Sequence, residues 1–404
     1  MKINKNLILS LDIGSNQIRA LVCEIDQNRE IFVKTFLATN SKGLVKGKIV
    51  NPVEFKNVLD DLVAKITKKL AERPTKVIVN IPLSGLSFNF RTGLLAIKNQ
   101  EGLVGQFEKN KCIERAKNSF NFVDKQIMHV IPILYKLDNK ESINPINKQG
   151  HLLEVRTHLI SCDQDNIHEF IYILHQLNLK LLGIVYDALG TGEIVIPFTN
   201  RKEGAFLMDF GSQFCRISFF KNNLLANSAV IGIGGETISN DLKQCLNVSF
   251  QEAERIKQLY IDALVFRINP DEVVEIITNN NERIKVKKIL ICQIVEARLN
   301  ELVNLVKKKF PLIKDNYPLF LTGGSSRLKG IDKFFMKKFK LKVTNFIPEN
   351  VTKVINDQDY LNVLGLLIYG YKNNAFDFVP SKKKATLLER VKDILSPIFL
   401  SNYA

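Results

Sequence analysis

Leu7-Ile8-Leu9-Ser10-Leu11-Asp12-Ile13-Gly14-Ser15-Asn16 is an apolar run that stops on a polar turn, and a second apolar run, 18–25, follows at once. The natural reading is two strands joined by a tight hairpin. The turn has parts suited to phosphate. Gly14 permits close backbone approach, the turn amides point at an anion, and the Ser15 hydroxyl adds a donor. Asp12 is of the type that holds water on Mg²⁺. Asp-x-Gly-Ser is also a common hairpin turn, so one copy decides little.

The pattern restarts about two hundred residues later. Residues 204–208 run into Asp209-Phe210-Gly211-Ser212, and a return strand is expected over 215–220. Gly232-Ile233-Gly234-Gly235-Glu236 follows, with Asp241 nearby. A strand over 319–321 ends in Thr322-Gly323-Gly324-Ser325-Ser326. Two similar halves, each with a phosphate hairpin, are therefore expected to clamp a nucleotide. Around these turns, periodicity predicts helices over Pro52–Leu70, 109–120, 165–177, Phe250–Tyr260 and 290–310. Strands are predicted over 76–81, 86–90, 128–137, 152–161 and 181–185. The stretch 85–162 reads as a small β/α insert.

Composition sets the bounds. The chain has 404 residues, 46% hydrophobic and 24% charged, which describes an ordinary globular protein of two or more domains. Six scattered cysteines suggest neither a disulfide framework nor a zinc site, and a reducing compartment is expected. No signal peptide and no run of 18 apolar residues is visible. The net charge of +16 suits polyanions such as acidic peptides or anionic headgroups. With no Trp, no zinc finger and no basic stripe interleaved with aromatics, nucleic acid is not an expected partner. His168, Glu169 and His175 lack the i, i+4 histidine spacing of a zinc-protease helix, and no Walker loop or Gly-x-Ser-x-Gly elbow is present.

These loops, in this order, resemble the actin, sugar-kinase and heat-shock chaperone superfamily. Within it the chain resembles FtsA, the bacterial cell-division family. The resemblance rests on Asn80-Ile81-Pro82 with Ser87-Phe88-Asn89-Phe90-Arg91, and on His129-Val130-Ile131-Pro132 with Tyr135-Lys136-Leu137-Asp138. Leu153-Glu154-Val155, Glu252-Ala253-Glu254 with Lys257, and Leu364-Gly365-Leu366-Leu367-Ile368-Tyr369-Gly370 extend it. It implies an α/β, actin-like (ribonuclease H-like) two-domain ATPase fold with an FtsA-type β/α insert subdomain. The first domain would take 1–84, 163–203 and 351–375, with the insert at 85–162. The second would take 204–350, with 246–310 as its outer subdomain.

The resemblance also implies ATP and Mg²⁺ as cofactors. Asp12, Gly14, Ser15 and Asn16 would form the first phosphate loop, and Asp209, Gly211 and Ser212 the second. Gly234, Gly235, Glu254, Lys257, Gly323, Gly324 and Ser325 would surround ribose and adenine. Asp12 and Asp209 would reach Mg²⁺ through water. The second hairpin departs from the family pattern, which has further glycines and threonines and ends on an acid; here it reads Gln213-Phe214-Cys215-Arg216. ATP binding is still expected, with slow turnover at most.

The tail argues separately. Residues 376–385 form a polar linker containing Pro380 and three lysines. Thr386 and Glu389 then make a capping-box pattern. Leu387, Leu388, Val391, Ile394, Leu395, Ile398 and Phe399 share one helical face. At about 1.5–3 kcal/mol per buried side chain, this face over 386–404 is expected either to pack on its own domain or to serve as a reversible anchor for anionic lipid; the polar linker and the FtsA resemblance favour the anchor, on anionic inner-membrane lipid. Pro397 bends or ends the helix near Ser396. The resemblance further implies filaments of the chain itself, later division proteins as partners of the insert, and the FtsZ C-terminal tail received near Lys288 and Arg298. The expected place is the cytoplasmic face of the inner membrane at the division site. An actin-fold kinase or ATPase, and a pilus-assembly relative of FtsA, are the alternatives.

Overall fold

The computed structural model describes residues 2–3, 7–25, 31–80, 85–120, 123–314, 316–345 and 360–373. The linker and the amphipathic face from Leu387 to Phe399 lie outside the described residues, as do Ile81 and Pro82. The chain divides into two compact units. One comprises 1–203, 221–227 and 347–404; the other comprises 204–220 and 228–346.

The first unit is built on strands β1 (Leu7–Ile13), β2 (Gln17–Ile25) and β3 (Ile31–Asn40), helix α1 (Pro52–Leu70) and strand β4 (Lys76–Asn80). All seven residues of β1 are buried, as befits a Leu- and Ile-rich strand at the centre of a sheet. Helix α1 starts where Asn51 accepts from the Glu54 amide and Pro52 occupies the first turn. Its Phe55, Leu59, Leu62, Val63 and Ile66 are buried against the sheet core.

The insert follows as β5 (Ser87–Ala96), α2 (Gln106–Asn118), β6 (Lys125–Leu137), β7 (Lys140–Ser142) and β8 (Leu152–Asp163). Its sheet order is β7-β6-β8-β5, with antiparallel pairing throughout. Cys112 and Ala116 of α2 join Leu95, Leu153 and Val155 in a core of their own. The chain returns through α3 (Gln164–Gln176), β9 (Lys180–Val185) and α4 (Asp187–Val195). The main sheet then reads β9-β4-β1-β2-β3.

The second unit repeats this plan. It is built on β10 (Ala205–Phe210), β11 (Cys215–Lys221) and β12 (Leu224–Ile231), of which 221 and 224–227 are counted with the first unit, and on α5 (Gly235–Leu246) and α6 (Phe250–Tyr260). A small hairpin, β13 (Val273–Ile277) and β14 (Arg283–Lys287), leads to α7 (Lys288–Lys309). Strand β15 (Leu319–Thr322), helix α8 (Ile331–Phe339) and strand β16 (Val343–Thr344) close the unit. Its sheet order is β12-β11-β10-β15-β16. In both sheets an antiparallel hairpin leads on one side to a third strand. On the other side lie two parallel strands.

Helix α9 (Leu361–Lys372) belongs to the first unit. It lies so close to α4 that a Cβ built on Gly365 would stand 2.4 Å from the Gly190 carbonyl carbon. The Ser10 hydroxyl of β1 donates to Val363 O at 2.7 Å, and Thr191 Oγ1 donates to Asn362 Oδ1 at 2.7 Å. Glu193 joins Arg201 at 2.7 Å and Lys372 at 2.5 Å in a shielded ion triad.

Candidate functional site

In the first unit the hairpin is closed by Gly14 N donating to Gln17 O at 3.1 Å, so Ser15 and Asn16 stand at its tip. Asp12 is buried. Its Oδ1 accepts from Asn80 Nδ2 at 2.9 Å, and its Oδ2 lies 3.9 Å from Arg19 Nη1. Asn80 is the hinge of this arrangement. Its own Oδ1 accepts from Ile13 N at 2.8 Å, tying the end of β4 to the end of β1. Sequence reading did not single out Asn80 or Arg19 as site residues. Asn80 depends on the pairing of β4 with β1, which local pattern does not express.

In the second unit the hairpin closes the same way, with Gly211 N donating to Phe214 O at 2.9 Å. Asp209 and Arg216 are partners in register. Arg216 Nη1 lies 2.9 Å from Asp209 Oδ2. Arg216 therefore stands beside the aspartate, a placement that its strand position alone left open.

The glycine loops gather on this hairpin. Helix α5 begins at Gly235 rather than after a longer loop. Gly235 N and Glu236 N donate to the carbonyls of Gly211 and Ser212, at 3.0 and 2.7 Å. Those carbonyls satisfy helix-terminal amides that have no partner within the helix. Ser325 Oγ donates to Gly211 O at 2.8 Å. Gly323 has φ +90°, where an added Cβ would also meet Asp209 Oδ1 at 2.4 Å. On α6, Glu254 and Lys257 form an i, i+3 pair at 2.6 Å. Lys257 Nζ also donates to Gly235 O at 3.0 Å and to Ser239 Oγ at 2.8 Å. The Ser239 hydroxyl donates to Glu254. Asp209, Gly211, Ser212, Gly234, Gly235, Glu254, Lys257, Gly323, Gly324 and Ser325 thus belong to one cluster of the second unit. The cluster includes Ser239, which sequence reading missed. Asp12, Gly14, Ser15 and Asn16 form the corresponding turn of the first.

The expected partner residues are engaged within the unit. Arg298 on α7 holds Asp241 of α5 with two nitrogens, at 2.6 and 2.7 Å, and also bonds Glu301. These acids, Asp241 first, hold its guanidinium more firmly charged than usual. Lys288 Nζ bonds Glu272 Oε1 at 2.8 Å. His168 and His175 are exposed on α3. Among the described residues no group of three or more His, Cys, Asp or Glu could hold a metal, and no helix is long and apolar enough to cross a membrane.

Two sheets of matching strand order, each carrying an Asp-x-Gly-Ser hairpin at its centre, define an actin-like protein. Solved structures agree on the fold. A PilM–PilN type IV pilus biogenesis complex aligns with TM-score 0.62 over 90% of this chain and 98% of that one, at 13% identity. MreB5 of Spiroplasma citri bound to ADP aligns with TM-score 0.54 over 92% and 97%, at 12% identity. The family is narrower. The sequence model described as cell division protein FtsA matches residues 206–365, and that of the SHS2 domain inserted in FtsA matches 86–161. Cell division protein FtsA of Buchnera aphidicola subsp. Schizaphis graminum is 24% identical over 410 residues, covering 96% of each chain. That of Escherichia coli strain K12 is 23% identical over 406 residues, covering 95% of this chain and 94% of its own. The chain belongs to the FtsA family of cell-division proteins.

Proposed function

We propose that this chain binds ATP, assembles into filaments, and carries the FtsZ tail to the cytoplasmic membrane through the amphipathic segment 386–404. The observation that carries the nucleotide reading is the repeated hairpin. Asp12–Ser15 and Asp209–Ser212 share one turn closure and one place in matching sheets. Around the second, Gly235 lies so close to Ser325 that an added Cβ would stand 2.4 Å from Oγ. Such side-chain-free backbone suits a bulky ligand lying against it. Lys257 adds a cation at the same place. ATP would bring its phosphates to the Asp209–Ser212 hairpin and its ribose to the glycine loops gathered on it. The relative titled as bound to ADP, MreB5, shares the fold and lends support.

The adaptor role rests on family membership and on the apolar face from Leu387 to Phe399. The acidic residues of an FtsZ tail would compete with Asp241 for Arg298 and with Glu272 for Lys288. The insert, with a core of its own, is the surface offered to later division proteins. A kinase-like reading is less well supported, because the carboxylates of both hairpins are ion-paired with arginines.

Liposome co-sedimentation tests the adaptor. The full chain should pellet with anionic vesicles, and a chain ending at Ala385 should stay in the supernatant. Equal pelleting of both would remove the anchor. Trinitrophenyl-ATP fluorescence on the same samples tests the nucleotide; no signal would remove ATP.

A further inference from the structure

We propose that the second unit carries a lipid contact of its own: Phe266 and Met336 enter the interface of an anionic bilayer, while Arg267, Lys333, Lys337 and Lys340 hold its headgroups. The inference goes beyond the anchor proposed for 386–404, on which it rests only for delivery of the chain to the vesicle. It starts from one short turn. Ala263 N donates to Lys329 O at 2.8 Å, which ties the segment after α6 to the residues that open α8. Leu264 and Ile268 are buried on either side of a single turn, Val265–Arg267. Phe266 projects from that turn and is 71% exposed. One exposed phenylalanine by itself is ordinary; this one stands among cations. Lys337 Nζ lies 5.3 Å and Arg267 Cζ 5.7 Å from the centre of its ring.

Helix α8 supplies the rest of the surface. Its Ile331, Phe334, Phe335 and Phe339 are buried, so Lys333, Met336 and Lys337 face outward, and exposed Lys340 follows at the helix end. Among the described residues, none of Arg267, Lys333, Lys337 and Lys340 has an acidic partner, whereas Lys329 is tied to Asp262 Oδ2 at 3.3 Å. Four cations without counter-charge attract an anionic surface. An acidic peptide would match the charge but not the shape. Peptide recognition uses a strand edge or a groove, and this is the outward side of a helix beside a projecting turn. A bilayer interface offers both halves of the chemistry at once. Acyl chain receives the ring and the thioether, and phosphate receives the ammonium groups, whose stems reach up to it. Each cation near an anionic surface is worth roughly fivefold, so four give about a thousandfold, a Kd of ~1 mM for the patch alone. That is too weak to pellet a tailless chain at submillimolar lipid, yet it strengthens a chain already held at the surface.

The chain has no tryptophan, so Phe266→Trp in the full-length protein places a single reporter at the turn. On vesicles of phosphatidylglycerol mixed with phosphatidylcholine, its emission should move to the blue and be quenched by lipids brominated in their acyl chains. On phosphatidylcholine alone neither should occur. Adding Lys333→Gln and Lys337→Gln should raise the lipid concentration at half-maximal shift by about tenfold or more, as expected for two lost cations. Melting temperatures establish that both proteins are folded. A Phe266→Trp protein that pellets with the anionic vesicles but shows neither shift nor quenching overturns this inference and leaves the anchor standing. An unchanged half-maximal concentration in the folded lysine variant overturns it as well. A protein that does not pellet at all overturns the anchor reading and this inference together.

Discussion

Replacing Gly365 by alanine should force apart the two helices that seal the first unit. The new Cβ would stand 2.4 Å from Gly190 C, 2.5 Å from Gly190 O and 2.9 Å from Thr191 N. All three are backbone atoms, so no side chain can rotate out of the way. Carbon atoms in contact need about 3.5 Å, so α4 and α9 must part by roughly 1 Å. Overpacking of this kind costs about 1–3 kcal/mol. The separation also strains the bonds from Ser10 to Val363 and from Thr191 to Asn362, each worth about 1 kcal/mol. Alanine's better helix propensity returns about 1 kcal/mol. The net is a loss of about 2–4 kcal/mol, or a fall in Tm of about 4–15 °C for a unit of this size. Thermal unfolding by circular dichroism measures it. Gly183→Ala is the control, because a Cβ there meets nothing within 4 Å. A Gly365→Ala protein melting within a degree of wild type would refute the steric argument.

Acid should weaken the first unit through His158. Burial holds its pKa down to about 4, against the ordinary value of 6.5, while the bond to Leu225 O works the other way. The unfolded chain therefore binds the proton more readily between those values, and stability falls as pH drops from 6.5 towards 4. The loss reaches about 2 kcal/mol at pH 5. Urea midpoints at pH 7.5 and pH 5 for wild type and His158→Phe should differ by that amount in their acid shift; equal shifts would exclude His158 as the cause. Glu193→Gln should cost about 3–5 kcal/mol, because it leaves Arg201 and Lys372 shielded together without their acid. Denaturant unfolding measures that loss, and a midpoint near wild type would show that the triad contributes little.

Elements whose ends carry their own signals were legible in the sequence. Helix Pro52–Leu70 has its Asn51 cap and a first-turn proline. Helix Phe250–Tyr260 has Ser249, whose hydroxyl accepts from the Glu252 amide. Both hairpins could be read because their turn residues are distinctive. Helix Gly235–Leu246 was hidden. Its opening glycines argue for a loop, and its first amides are satisfied by carbonyls more than twenty residues upstream. Asn80 was hidden for a similar reason, since its role exists only once β4 lies parallel to β1. Arg19 and Arg216 were legible in principle. A four-residue turn fixes i against i+7, so the repeated Asp-to-Arg spacing carried the signal before any coordinates did.

The hydroxyl of Ser10 meets a carbonyl 353 positions further along the chain. During synthesis β1 must therefore wait, with the face meant for α9 uncovered, until the codons for α9 have been read. The second unit lies wholly inside that interval, and at about 5–20 residues per second it has many seconds to fold first. Strand β1 is thus completed only after the second unit has been made, and a ribosome that stalls before α9 would leave an exposed apolar surface for chaperones to guard.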